Sequence, residues 1–229
     1  LMREEKLDEV VIEQLNLQGL PEPNLEKWEA FIQRLNAPKS TINIALVGKY
    51  VELQDAYKSI QESFIHAGAV NECKVKVTSI QSEHLTFDNV AEKLGGMDGI
   101  LVASGFGERG VEGKAVAANY ARENNIPYFG IGLGMQMGVV DFARSVMGLK
   151  NAKSTELDPN TDCPIIDLMA DHKTVTIKGG TMRLGGFLCK IKEGTLAHKI
   201  YGKSEVVERH HHRYEVNNEY RDVLAQNGM

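Results

Sequence analysis

The strongest constraint in the chain is the run Ile126-Pro127-Tyr128-Phe129-Gly130-Ile131-Gly132-Leu133-Gly134-Met135-Gln136, which continues into Met137-Gly138-Val139-Val140-Asp141-Phe142-Ala143-Arg144. A short apolar stretch after a proline predicts a strand, and the alternating glycines predict a tight turn. Met137, Val140 and Ala143 or Arg144 then fall at helical spacing. In strand-to-helix turns of this shape, small residues flank a serine or cysteine held at a strained backbone angle. The following helix directs its N-terminal amides at the reacting group. Here the central residue is Gly132. The position where the architecture places a nucleophile therefore carries no side chain.

The rest of the chain supplies a frame for such an elbow. From Ile42 onward strands and helices alternate: a strand over Ile42 to Val47, a helix from about Ala56 to Ala67, and a strand from Lys74 to Ile80. A helix near Phe87 to Leu94, a strand from Gly99 to Ala103 and a helix across Val116 to Glu123 follow before the elbow strand. This alternation predicts a mainly parallel sheet covered on both faces, in three α/β/α layers of flavodoxin-like type. Ile165 to Met169, Val175 to Lys178 and Phe187 to Ile191 read as later strands of hairpin character. In open sheets of this class ligands sit at the carboxyl ends of the strands, which brings the turns after Ala103 and Ile131 to one edge.

Ahead of the sheet, residues 1–40 read as an appendage. Leu7, Val10 and Val11 lie at helical spacing, Gly19, Pro21 and Pro23 break the pattern, and a second helix opening at Asn24 carries Trp28, Phe31, Ile32 and Leu35. Trp28 is expected to pack this linker helix onto the main domain. A first helix without a partner, in a chain that begins at Leu1, suggests a piece of something longer.

Composition excludes several classes. With 229 residues and 42% hydrophobic content the chain can bury one good-sized core. A net charge of −5 with interspersed signs points to neither a nucleic-acid partner nor an anionic membrane. Three cysteines without paired spacing suggest a reducing compartment, with no disulfide framework and no zinc site. No run approaches a membrane span and the N-terminus is acidic, so a cytoplasmic chain is expected.

Three local patterns carry possible chemistry. Ala103-Ser104-Gly105-Phe106-Gly107 follows a buried strand, where glycines let backbone amides approach a ligand; an ordinary loop fits the same residues. Gly130-Ile131-Gly132-Leu133-Gly134 fails as a dinucleotide loop because Met135 stands where the final glycine is required. In His210-His211-His212, period-two geometry lets His210 and His212 converge while His211 points away. With no carboxylate or cysteine at ligand spacing in the sequence, a surface or packing role is expected and no metal site.

Together the elbow, Val47-Gly48-Lys49-Tyr50-Val51-Glu52-Leu53, Asp55-Ala56-Tyr57-Lys58-Ser59, Gly105-Phe106-Gly107-Glu108-Arg109-Gly110-Val111-Glu112-Gly113, Gly179-Gly180-Thr181-Met182-Arg183-Leu184-Gly185 and Arg209-His210-His211-His212-Arg213-Tyr214-Glu215 resemble class I glutamine amidotransferases, and within them the glutaminase domains of the CTP synthase family. The resemblance implies residues 41–229 as the amidotransferase domain and 1–40 as the tail of a synthetase domain with its linker. It implies a cysteine at the position of Gly132, oxyanion donors at Gly105 and Leu133, and glutamine contacts from Gly105, Leu133, Gly134, Met135, Gln136, Glu156 and Arg213. Glu156 would meet the substrate's amino group, and Arg213, with its planar guanidinium, the α-carboxylate. Many relatives carry glycine or proline where this chain has Ser104. A GTP-responsive segment aligns with Arg109, Gly110 and Glu112.

The family reaction is ATP-dependent amination of UTP to CTP, with ammonia released from L-glutamine in this domain. No cofactor belongs to the domain itself; ATP and Mg2+ belong to the synthetase domain, through which a homo-oligomer, a tetramer in the family, is expected. In relatives a His-x-Glu pair near the C-terminus activates the cysteine. No His-x-Glu occurs in these 229 residues, and the chain ends sixteen residues after Arg213. The expectation is a domain without any member of the triad and without activity; the alternative is a non-catalytic glutamine-binding or assembly module.

Overall fold

The computed structural model describes residues 4–17, 19–21, 23–169 and 183–229. Two helices lead in: α1 (Leu7–Gln14) and α2 (Glu26–Asn36). The central unit then runs β1 (Ser40–Gly48), α3 (Lys58–Val70), β2 (Cys73–Gln81), α4 (Val90–Leu94), β3 (Gly99–Val102), α5 (Val111–Glu123), β4 (Tyr128–Gly130) and α6 (Leu133–Ser145). Its strands pair in parallel in the order β2-β1-β3-β4, the doubly wound arrangement expected from the alternating pattern.

Side-chain alternation explains the layering. In β1, Ala45 and Val47 face one way and join Ile100 and Val102 of β3 against Val116, Ala117 and Ala121 of α5. Leu46 faces the other way and joins Leu101 and Ala103, with Ile60 and Phe64 of α3 packed onto them. All three β1 residues are inaccessible, as a strand covered on both faces requires. The small alanine face of α5 lets α6 lie close beside it. The buried Asp141 of α6 pins the pair, accepting from Asn119 at 3.0 Å and Arg122 at 3.2 Å.

Beyond α6 come β5 (Lys153–Ser154), β6 (Pro164–Leu168), β7 (Arg183–Lys190), α7 (Leu196–Tyr201), β8 (Glu205–His212), β9 (Tyr214–Val216) and α8 (Arg221–Gln226). A small sheet β5-β6-β9 packs Ile165 and Ile166 against Met137, Val140 and Ala143 of α6, the stripe predicted from helical spacing. β7 and β8 form an antiparallel hairpin. The strand predicted over Val175 to Lys178 lies outside the described residues.

Several expectations are corrected. Trp28 is 63% exposed and stacks on Phe31, and it is Phe31 that meets His66 of α3 edge-on at 5.8 Å. Helix α5 begins at Val111 and not near Val116, because Gly110 at φ 70° supplies its N-terminal turn. Helix α4 starts three residues after Phe87, which is exposed. The segment at Ala56 enters α3 through a 3-10 turn over Gln54–Tyr57.

Candidate functional site

The elbow exists and its strain is located. Ile131 donates its amide to the Val102 carbonyl at 3.0 Å, tying the turn to β3. Gly132 then sits at φ 53° and ψ −114°, outside every region that ordinary residues favour, and α6 begins at the next residue. The flanking glycines are demanded by packing: a Cβ on Gly130 would lie 2.3 Å from the Met135 nitrogen, and one on Gly134 2.0 Å from the Val102 carbonyl oxygen. At Gly132 the nearest atom would be Ser104 Cβ at 3.4 Å, an ordinary contact. The turn thus has room for a Cβ where it has none. Leu133, first residue of α6, presents an amide with no intrahelical acceptor.

The loop after β3 forms the facing wall. Gly105 adopts φ 152°, and two lysines hold the loop from below. Lys114, inaccessible in the first turn of α5, donates to the carbonyls of Ala103 at 2.6 Å and Ser104 at 3.0 Å. Lys49, just beyond β1, donates to the carbonyls of Phe106 and Gly107. Burial, with Lys49 nearby, lowers Lys114 to about 8; burial, followed by the Arg109 charge, lowers Lys49. These lysines were missed in the sequence as site residues. The available signal was a lysine in the first turn of an alanine-rich buried helix.

Two further segments close in. Glu156 Oε1 accepts the Gly107 amide at 3.2 Å, so this carboxylate reaches the glycine loop across forty-nine residues of sequence. Gln136, buried in the first turn of α6, donates to the Tyr214 carbonyl at 3.4 Å, beside Arg213. The Tyr214 hydroxyl is raised above its usual range by burial and then by Glu156, with Arg213 opposing. Gly105, Gly132, Leu133 and Gln136 therefore stand at one sheet edge, which Glu156 reaches through the Gly107 amide, and Arg213 adjoins Tyr214, whose carbonyl meets Gln136. Gly134 serves the packing of the turn, and Met135 is 38% exposed beside it.

Arg109, Gly110 and Glu112 do not form one cluster. Arg109 lies over the Tyr50 ring at 4.8 Å and pairs with Glu83, while Glu112 pairs with Arg144 of α6 at 2.9 Å. Gly110 abuts Ser82. His210 and His212 converge as expected, with Nδ1 of the first 2.9 Å from Nε2 of the second. The hairpin also brings Cys189 to His210, which sequence spacing could not show. Among the described residues no group of three or more histidines, cysteines and carboxylates could hold a metal ion.

The family model for glutamine amidotransferase class-I matches residues 52–227, which include the elbow, the glycine loop, Glu156 and Arg213. The chain belongs to the class I glutamine amidotransferase family. Within it, the chain is 59% identical to the CTP synthase of Cytophaga hutchinsonii and 57% identical to that of Flavobacterium johnsoniae, over all 229 residues in each case. It spans 42% and 43% of those relatives' lengths. Among solved structures, the glutaminase domain of Trypanosoma brucei CTPS with bound acivicin superposes with a TM-score of 0.75 at 38% identity, covering 82% of this chain and 72% of that one. The matched residues thus include a strand-to-helix elbow whose central residue, Gly132, has no side chain.

Proposed function

We propose that this chain is the glutamine site of a CTP synthase and that, with Gly132 at the elbow, it binds L-glutamine without hydrolysing it. The observation that carries the reading is a strained elbow where a Cβ would meet only Ser104, beside a glycine loop that Glu156 holds through the Gly107 amide. In this reading Arg213 takes the α-carboxylate, Glu156 the ammonium group, and the amides of Gly105 and Leu133 the side-chain carbonyl of glutamine. Gly134, Met135 and Gln136, by the same family resemblance, would contact the substrate from the first turn of α6. Polarisation of that carbonyl without a thiolate leaves the amide intact.

In the complete enzyme, ammonia from such a site would serve ATP-dependent amination of UTP to CTP on a synthetase domain that binds ATP and Mg2+. Residues 1–40 would lead from that domain, through which the protein would assemble as a homo-oligomer. GTP would act on the segment of Arg109, Gly110 and Glu112. The missing nucleophile favours one further reading, a module kept for glutamine sensing or assembly. Calorimetric titration with L-glutamine, run beside an assay of released glutamate, tests the proposal. Binding without glutamate is expected, and Arg213→Ala should weaken it by at least about tenfold, the value of one charge-assisted contact. Binding that is absent, or unchanged in the Arg213 variant, rejects the assignment.

A further inference from the structure

Opposite the elbow in sequence terms, the β7–β8 hairpin carries a hydrogen-bonded line of side chains that the glutamine site does not use. Alternate residues of the two strands share one face: Arg183, Gly185, Phe187 and Cys189 on β7, with Val206, Glu208, His210 and His212 on β8. His210 stands opposite Gly185, which offers no side chain, and its ring leans along the hairpin against the Phe187 ring, edge-on at 5.4 Å. That brings His210 Nε2 to 3.5 Å from Cys189 Sγ. His210 Nδ1 lies 2.9 Å from His212 Nε2, and His212 Nδ1 lies 3.2 Å from the Tyr214 carbonyl oxygen.

The carbonyl at the end of this line can only accept, and that fact assigns every proton. With both rings neutral, His212 carries its hydrogen on Nδ1, leaving Nε2 as an acceptor; His210 then donates from Nδ1, and its Nε2 can accept from the Cys189 thiol, for which the Phe187 carbonyl at 3.7 Å is the other acceptor. Burial, followed by the His210 and Arg183 charges, holds His212 below its usual range, with Glu215 and the Tyr214 carbonyl opposing. The nearby charges are otherwise engaged: Arg183 pairs with Glu215 at 3.5 Å, and Glu208 accepts from the Tyr201 hydroxyl at 2.7 Å. A thiol, a base with its lone pair aimed at it, and a third group orienting the base are the parts of an activated nucleophile.

We propose that Cys189 is a reactive thiol, a site of covalent modification by low-molecular-weight disulfides, with His210 as its base and His212 as the residue that positions the base. In the step, His210 Nε2 takes the S–H proton and the Cys189 sulfur attacks one sulfur of the disulfide. The old S–S bond breaks with its electron pair on the departing thiolate, a new S–S bond joins that half to Cys189, and His210 returns the proton to the leaving thiolate. One disulfide and one thiol enter, and one mixed disulfide and one thiol leave.

The other two cysteines, Cys73 and Cys163, are likewise half-buried and serve as internal controls. The 229-residue chain is treated at neutral pH with dithiobis(nitrobenzoate), and the labelled cysteines are followed by peptide mass spectrometry. Cys189 is expected to react at least about tenfold faster than either control, and His210→Gln should abolish that advantage while leaving Cys73 and Cys163 unchanged. His212→Asn, whose amide oxygen can accept from His210 Nδ1, should keep the advantage; His212→Leu should lose it. A wild-type Cys189 no faster than Cys73 or Cys163 overturns the proposal, and this outcome needs no variant to fold. So does a Cys189 rate that His210→Gln leaves unchanged.

Discussion

Replacing Gly132 by cysteine should destabilise the fold by about 1 kcal/mol, although cysteine is the residue expected there from the family. The magnitude follows from two terms of opposite sign. Gly132 sits at φ 53° and ψ −114°, and holding a residue with a Cβ in so sparsely allowed a region costs on the order of 1 to 3 kcal/mol. The unfolded state works the other way, since a non-glycine residue loses less backbone freedom on folding, a gain of roughly 0.4 to 1 kcal/mol. No steric term need be added, because the new Cβ would meet only Ser104 Cβ at 3.4 Å. Urea melts of wild type, Gly132→Cys and Gly132→Ala should share one slope, with both variants shifted down by similar amounts, a change of about fivefold in the folding constant. The alanine form shows that the loss lies in the backbone and not in the thiol. A cysteine variant as stable as wild type would falsify the reasoning, because the turn would then store no strain at its centre.

The other expected outcomes concern neighbouring residues. Gly134→Ala puts a Cβ 2.0 Å from the Val102 carbonyl, so it should lose about 3 kcal/mol or fail to fold, in contrast to Gly132→Ala; equal losses in the same melts would contradict the packing account. Lys114 falls from 10.5 to about 8 on folding, so from about pH 8 to 10.5 the unfolded chain keeps a proton that the folded chain has released. Stability should therefore rise with pH across that window relative to Lys114→Met, by on the order of 3 kcal/mol, and a flat difference would show that the lysine is not desolvated. Gly132→Cys should take up a thiol label at 132 yet release little glutamate, because no His-x-Glu occurs in the 229 residues and acid-base assistance contributes roughly 10² to 10⁴-fold. Turnover by that variant near the rate of an intact relative's glutaminase would show that another group serves as base.

What could be read from the sequence was whatever depends on local chain physics. The alternation of strands and helices, the elbow, and the convergence of His210 with His212 follow from periodicity and glycine placement alone. Element ends were less legible. Helix α5 starts five residues before Val116, since a left-handed glycine at Gly110 permits a start that apolar spacing does not reveal. Trp28 misled because size suggests burial, whereas its ring lies over Phe31 and leaves the contact with α3 to that residue. Contacts between distant segments were invisible. Nothing local to Glu156 shows that it will meet the Gly107 amide, and nothing near His210 announces Cys189, because strand register decides both.

The three glycines of the elbow separate what the fold needs from what the chemistry needs. Gly130 and Gly134 face backbone atoms at 2.3 and 2.0 Å, so no other residue fits at either place while α6 stays packed on β3. A Cβ on Gly132 would meet only Ser104, at 3.4 Å, so packing does not ask for glycine there. Lys114 and Lys49 likewise keep the facing loop in shape, one of them at the expense of a buried charge that the core alone would not favour. The strained turn, the braced loop and the Glu156 contact with Gly107 therefore surround a position that packing leaves open, so at Gly132 only the backbone angle asks for glycine.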